Sequence, residues 1–169
     1  HRDLHSFPTR RSSDLDPNKI MYFPKFNWPR VLNPKIVFPM NETNLENTIL
    51  QEKISIDEIK GALQENKDDI AAIIIEPIQG EGGDNHFRNE YLKQLRTIAD
   101  ENDILLIFDE VQTGLGLTGT MWAHEQMEVK PDIMVFGKKT QVCGIVVTDR
   151  IDEVPENVFH TSRDRKSVV

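Results

Sequence analysis

"IAAIIIEPIQGEGGDNHFRNEYLKQLRTIADENDILLIFDE", residues 70–110, decides the fold. It opens with a short continuous apolar run, residues 70–77, ended by Glu76 and Pro77. Such a run, flanked by turn signals, reads as a strand buried on both faces, as in a parallel sheet. A glycine-rich loop follows. Tyr91, Leu92, Leu95, Ile98 and Ala99 then share one face of an amphipathic helix, with Asn89 as its N-cap. "ILLIF", residues 104–108, is a second buried strand.

Outward from that unit the same logic continues. "PDIMVFG" (131–137) predicts a third strand and "CGIVVTD" (143–149) a fourth, with a short helix around Trp122 between the second and third. Strand, helix, strand, loop and strand at this spacing define an α/β domain with a mostly parallel sheet flanked by helices. Upstream, "SIDEIKGALQEN" carries a capping-box pair, Ser55 and Glu58, before Ile56, Ile59 and Leu63 at helical spacing. Residues 42–52 are weakly helical, with Leu45 and Ile49 on one face. Pro24, Pro29, Pro34 and Pro39 forbid a regular helix over 22–39, which reads as an extended segment with aromatic anchors.

The composition excludes several classes. The 169 residues carry a formal net charge of −8, which argues against nonspecific nucleic-acid or anionic-membrane binding. No apolar run is long enough to span a bilayer. The lone Cys143 excludes a disulfide framework and suits a reducing, cytoplasmic setting. Small-molecule or protein partners fit better.

The two ends differ from the middle. "PTRRSSDL" can be written CCT ACA CGA CGC TCT TCC GAT CT, and its reverse complement contains codons for Asp-Arg-Lys-Ser-Val-Val followed by a stop, the last six residues of the chain. Residues 1–15 and 164–169 therefore read as non-native tails resembling translated sequencing-adapter DNA, with 16–163 as the native segment.

Ligands of parallel α/β sheets sit beyond the carboxyl ends of the strands. Three polar sets fall there: Glu76 with Glu81, Asp109 to Gln112, and Lys138. A nucleotide hydrolase also ends a strand in Asp-Glu to hold magnesium, but it needs G-x-x-x-x-G-K-[ST] earlier in the chain. Here Gly137-Lys138 comes after the acidic strand and is followed by Lys139. His86, His124 and His160 show no ligand spacing, Cys143 has no cysteine partner, and no G-x-S-x-G elbow exists. The "GEGG" loop reads as a turn, with a backbone phosphate cradle as the alternative. Amine chemistry gives the remaining set a purpose. A lysine forms a Schiff base with an aldehyde cofactor such as pyridoxal 5'-phosphate, and a carboxylate keeps that cofactor's ring nitrogen protonated. A solvated basic pair is the plain alternative for Lys138 and Lys139.

In order, "IIIEPIQGEGG", "LLIFDEVQTGLGLTGTMWAHE" and "KPDIMVFGKK" make the sequence, from about Tyr22 to Ser162, resemble the class III pyridoxal-phosphate aminotransferases. The resemblance implies part of the large cofactor-binding domain of a fold-type I, aspartate aminotransferase-like enzyme. It implies that Asp109 salt-bridges the cofactor's ring nitrogen, Val111 packs on the ring and Gln112 hydrogen-bonds its phenolic oxygen. Lys138 bonds the cofactor and moves the substrate proton. "KKTQVCG", with "FPKFNWPR" and "DEVPENVF", is most similar to family members acting on the terminal amine of L-lysine with 2-oxoglutarate as acceptor. In those, a glutamate at the position of Glu81 gates the substrate pocket. Glu76 is expected to be supporting. The resemblance further implies a homodimer, and the histidine and cysteine spacing above gives no metal site. Members acting on ornithine, 4-aminobutyrate or a diamine, and an inactive truncated α/β fragment, remain the alternatives.

Overall fold

The computed structural model describes residues 28–80 and 83–151. Both adapter-like tails, Glu81, and the aromatics before Trp28 lie outside the described residues. The described residues divide into two compact units. One holds the residues up to Ile70 plus Gln79–Arg88, the other Ala71–Ile78 plus the residues from Asn89 onward.

The first unit is built on one long helix, α1 (Glu42–Glu65). Asn41 caps it, its side-chain oxygen accepting from Asn44 N–H at 2.9 Å. The expected break at Ser55 does not occur. Ser55 lies fully buried inside the helix, and the Glu58 carboxylate accepts from Leu32 N–H at 2.7 Å. The buried stripe is Thr48, Glu52, Ser55, Ile56 and Ile59, continuous at helical spacing across the supposed break. Three of those five are polar, so hydropathy missed the stripe, and Ile49 faces outward. Residues 28–41 form no helix or strand, as the prolines require. Trp28 and Phe38 are exposed, with the Phe38 ring edge-on to His86 at a centroid distance of 6.3 Å, while Pro34 is buried and Ile36 N–H donates to His86 O at 2.8 Å.

Two short strands, β1 (Ala72–Ile75) and β2 (Ile78–Gln79), follow, and β2 pairs with β3 (Asn85–His86) where the chain passes between the units. Within the loop joining β2 and β3, Gly83 and Asp84 both donate to Gly80 O, and Gly83 has φ +106°. Those two N–H groups are spent on the turn and not held open for a phosphate.

The second unit carries helix α2 (Asn89–Glu101), strand β4 (Leu105–Asp109), the short helix α3 (Ala123–Met127), and strands β5 (Ile133–Phe136) and β6 (Gly144–Val147). The sheet order is β1-β4-β5-β6. The first three strands are parallel and β6 returns antiparallel beside β5, so the sheet is mostly parallel. Helix α2 packs on β4 and β1. It buries Tyr91, Leu92, Leu95, Ile98 and Ala99, the face the spacing predicts.

The strands are not buried on both faces. Along β4 burial alternates: Leu106 and Phe108 are fully buried, Leu105 and Ile107 only partly. Register aligns Ile74, Ile107, Ile133 and Val147 in one row on the less covered face. Ile74 and Val147 there are exposed. The continuous apolar runs reflect a two-sided sheet, of which one side is only partly covered in this chain.

Candidate active site

Because β1, β4 and β5 are parallel, their carboxyl ends share one edge of the sheet. Glu76 follows β1 and is half-buried. Asp109 ends β4 in register with Val135, and Lys138 stands three residues past Val135 on the neighbouring strand. The Glu110 N–H extends the ladder to Val135 O at 2.9 Å.

At this edge the Asp-Glu pair divides. Asp109 stays half-buried, and its Oδ1 accepts from Val111 N–H at 3.0 Å. Glu110 turns into the protein and is buried. Its carboxylate accepts from Ala123 N–H (2.6 Å), His124 N–H (2.9 Å) and the Thr113 hydroxyl (2.9 Å), and Oε1 lies 2.9 Å from His124 Nδ1. A carboxylate only accepts, so His124 Nδ1 carries the proton in that contact. Glu110 is thus the N-terminal anchor of α3, and His124 belongs to this structural clasp. Sequence reasoning passed over Glu110; the available signal was an acid beside the strand-end Asp, with a helix start 13 residues later.

Lys138 has φ +51°, a left-handed conformation that non-glycine residues adopt sparingly and that clusters at functional sites. Its ammonium donates to the side-chain carbonyl of Gln112. Lys139 instead donates to two main-chain oxygens, Gln112 O at 2.8 Å and Gly114 O at 2.9 Å. The pair is not simply a solvated basic face. Val111 reaches the same spot: its Cγ2 is 3.6 Å from where a Cβ on Gly137 would sit, and Cys143 Sγ is 3.0 Å from it. Glycine at 137 keeps that approach open. Asp109, Val111, Gln112 and Lys138 are therefore gathered at one strand edge, while Glu81 lies outside the described residues. A carboxylate, an amide and a primary amine there make a donor set suited to pyridoxal phosphate, whose ring nitrogen, phenolic oxygen and aldehyde need those three groups.

A second polar cluster stands near the amino end of β5. Asp132 Oδ2 accepts from Leu106 N–H at 2.8 Å and from Arg96 at 2.8 Å, and Arg150 stands 3.5 Å away. Burial pushes the Asp132 carboxyl up, but the Leu106 N–H and the Arg96 and Arg150 guanidinium groups more than offset it and hold it below the usual carboxylate range. Its role is to tie β4, α2 and β5 together.

The sequence profile of the aminotransferase class-III family matches residues 22–157. The chain belongs to the class III aminotransferases. Among curated relatives, L-lysine-epsilon aminotransferase of Streptomyces clavuligerus is 45% identical over 154 residues, 91% of this chain and 34% of that protein. The protein of the same name from Mycobacterium bovis is 50% identical over 137 residues, 81% of this chain and 30% of that protein. Among solved structures, lysine aminotransferase from M. tuberculosis in the internal aldimine form superposes with TM-score 0.82 at 46% identity, covering 90% of this chain and 35% of that one. The chain thus spans about a third of the length of the class III relatives it matches. The fold is that of part of the large domain of a fold-type I enzyme. Among the described residues no helix is long and apolar enough to cross a membrane.

Proposed function

We propose that this chain is part of a pyridoxal-phosphate-dependent transaminase. It moves the terminal amino group of L-lysine to 2-oxoglutarate, giving 2-aminoadipate 6-semialdehyde and glutamate. The observation that carries the reading is the Lys138 ammonium seated on the Gln112 amide, one strand away from the Asp109 carboxylate. The names and 45–50% identities of the lysine aminotransferases support the donor.

When bound, pyridoxal phosphate supplies an electron sink for the carbon that loses its proton. The chain's own groups do the rest. Asp109 holds a proton on the cofactor's ring nitrogen by placing a negative charge beside it. Gln112 offers its amide to the phenolic oxygen and steadies Lys138 between steps. Val111 gives the ring an apolar surface. Lys138 Nζ would hold the cofactor at its aldehyde and, when free, would serve as the base that takes up and returns the substrate proton. We assign substrate gating to Glu81 and a supporting place to Glu76. The complete enzyme is a cytoplasmic homodimer, and the 169-residue chain alone binds cofactor weakly and turns nothing over.

The test is the visible spectrum of the full-length protein with pyridoxal phosphate. An absorbance band from lysine-bound cofactor that is lost on adding L-lysine supports the assignment. A band that ignores L-lysine but responds to ornithine, a diamine or 4-aminobutyrate changes the donor. The last is the substrate named for an Emericella nidulans relative 40% identical over 141 residues. A folded protein with no band overturns the reading.

A further inference from the structure

Two adjacent lysines follow β5, and the structure gives them different work. We propose that Lys139 is a positioning residue that acts through Gln112, fixing the turn after β4 so that the Gln112 amide meets Lys138 and the cofactor. The proposal rests on the aminotransferase reading above.

Lys138–Thr140 forms a single turn of 3-10 helix. The two side chains leave this short turn in different directions, so the neighbouring lysines reach different groups. Lys138 meets the Gln112 side chain, and Lys139 meets the Gln112 and Gly114 carbonyls. Gln112 is therefore held by its main chain through one lysine while its amide is presented to the other. The turn also carries the Gly114 N–H to Glu110 O bond at 2.9 Å, which leaves the Gln112 and Gly114 oxygens pointing onward to where Lys139 reaches them. The Lys139 ammonium ties the turn after β5 to the turn after β4, the two segments that carry Lys138 and Gln112. A lysine with three donors on a flexible stem suits two carbonyls at once.

The experiment is a double-mutant cycle in the full-length protein, reading the cofactor dissociation constant, the visible band of lysine-bound cofactor, and the melting temperature without cofactor. Lys139→Met keeps the band, because Lys138 is intact, and weakens cofactor binding about tenfold. Gln112→Ala weakens it as well. If Lys139 acts through Gln112, the double variant binds no worse than the poorer single variant, because residues sharing one network do not add. Lys139→Arg, which keeps a cation with several donors, recovers most of the loss, and Lys139→Gln carries the cycle should Lys139→Met fail to fold. Additive losses overturn the proposal. A band lost in Lys139→Met, or a lowered melting temperature with unchanged cofactor affinity, overturns it too. A wild-type protein with no band overturns the functional reading and this proposal together; a wild-type band with additive losses overturns this proposal alone.

Discussion

The Glu110 carboxylate meets His124 Nδ1 at 2.9 Å and takes the first two N–H groups of α3, so an acid at a strand end begins a helix 13 residues further on. Removing it leaves four donors, two buried and two part-buried, without an acceptor. Glu110→Ala should therefore destabilise the protein by about 3 kcal/mol or more. Glu110→Gln, which keeps one carbonyl, should cost less. Denaturant midpoints of the two variants check both the size and the order.

Asp132 sets a pH dependence. Its folded pKa lies below its ordinary value, so its contribution to stability is fully present above the ordinary carboxylate range and is lost as pH falls through the folded value. The stability gap between wild type and Asp132→Asn should be constant near neutrality and shrink as pH drops below about 4. Urea unfolding at a series of pH values measures it; a gap that widens in acid contradicts the assignment.

Gly114 has no room for a side chain. A Cβ there would lie 2.3 Å from a Trp122 ring carbon and 3.0 Å from Glu110 O. Gly114→Ala must push the indole aside, an overpacking that costs about 1–3 kcal/mol. A shifted tryptophan emission together with a lower denaturant midpoint is the expected signature.

Asp109→Asn preserves shape and removes charge. Charge-assisted hydrogen bonds are worth about 1.5–3 kcal/mol, so cofactor affinity should fall roughly ten- to hundredfold. Titration of the full-length variant with pyridoxal phosphate checks this. An unchanged affinity would place the ring nitrogen elsewhere.

Strand β6 ends the sheet order, and Ile145, Val146 and Val147 on it are all exposed. An exposed apolar edge strand templates pairing with other chains. The isolated 169-residue chain should self-associate as its concentration rises, and Val146→Lys should suppress that. Light scattering against concentration for both proteins gives the comparison.

The sheet and its helix were legible because apolar period and run length are local. Residues 89–101 show the helical face directly, and the strand ends place Asp109, Gln112 and Lys138 on one edge. What stayed hidden depended on polar groups being buried. Thr48, Glu52 and Ser55 form the inner stripe of α1, so the helix looked broken at Ser55, whose pattern with Glu58 imitates a start signal. Nothing local in the sequence marks Glu110 or Asp132 as buried, yet both are, with backbone N–H groups donating to their carboxylates. The division of labour between Lys138 and Lys139 cannot be read from spacing, since adjacent lysines look alike until the carbonyls that receive them are known.

Glu110 holds both ends of the stretch between Thr113 and Ala123 from a single point on the strand. The residues between, including exposed Gly116, Leu117 and Gly119, hang from that clasp as a closed bight. A change of length confined to the exposed tip, residues 116–119, should leave both anchored ends, the Gly114 carbonyl that Lys139 holds and Asp109 in place, so a protein engineer can graft a new tip there without disturbing the chemistry at its root.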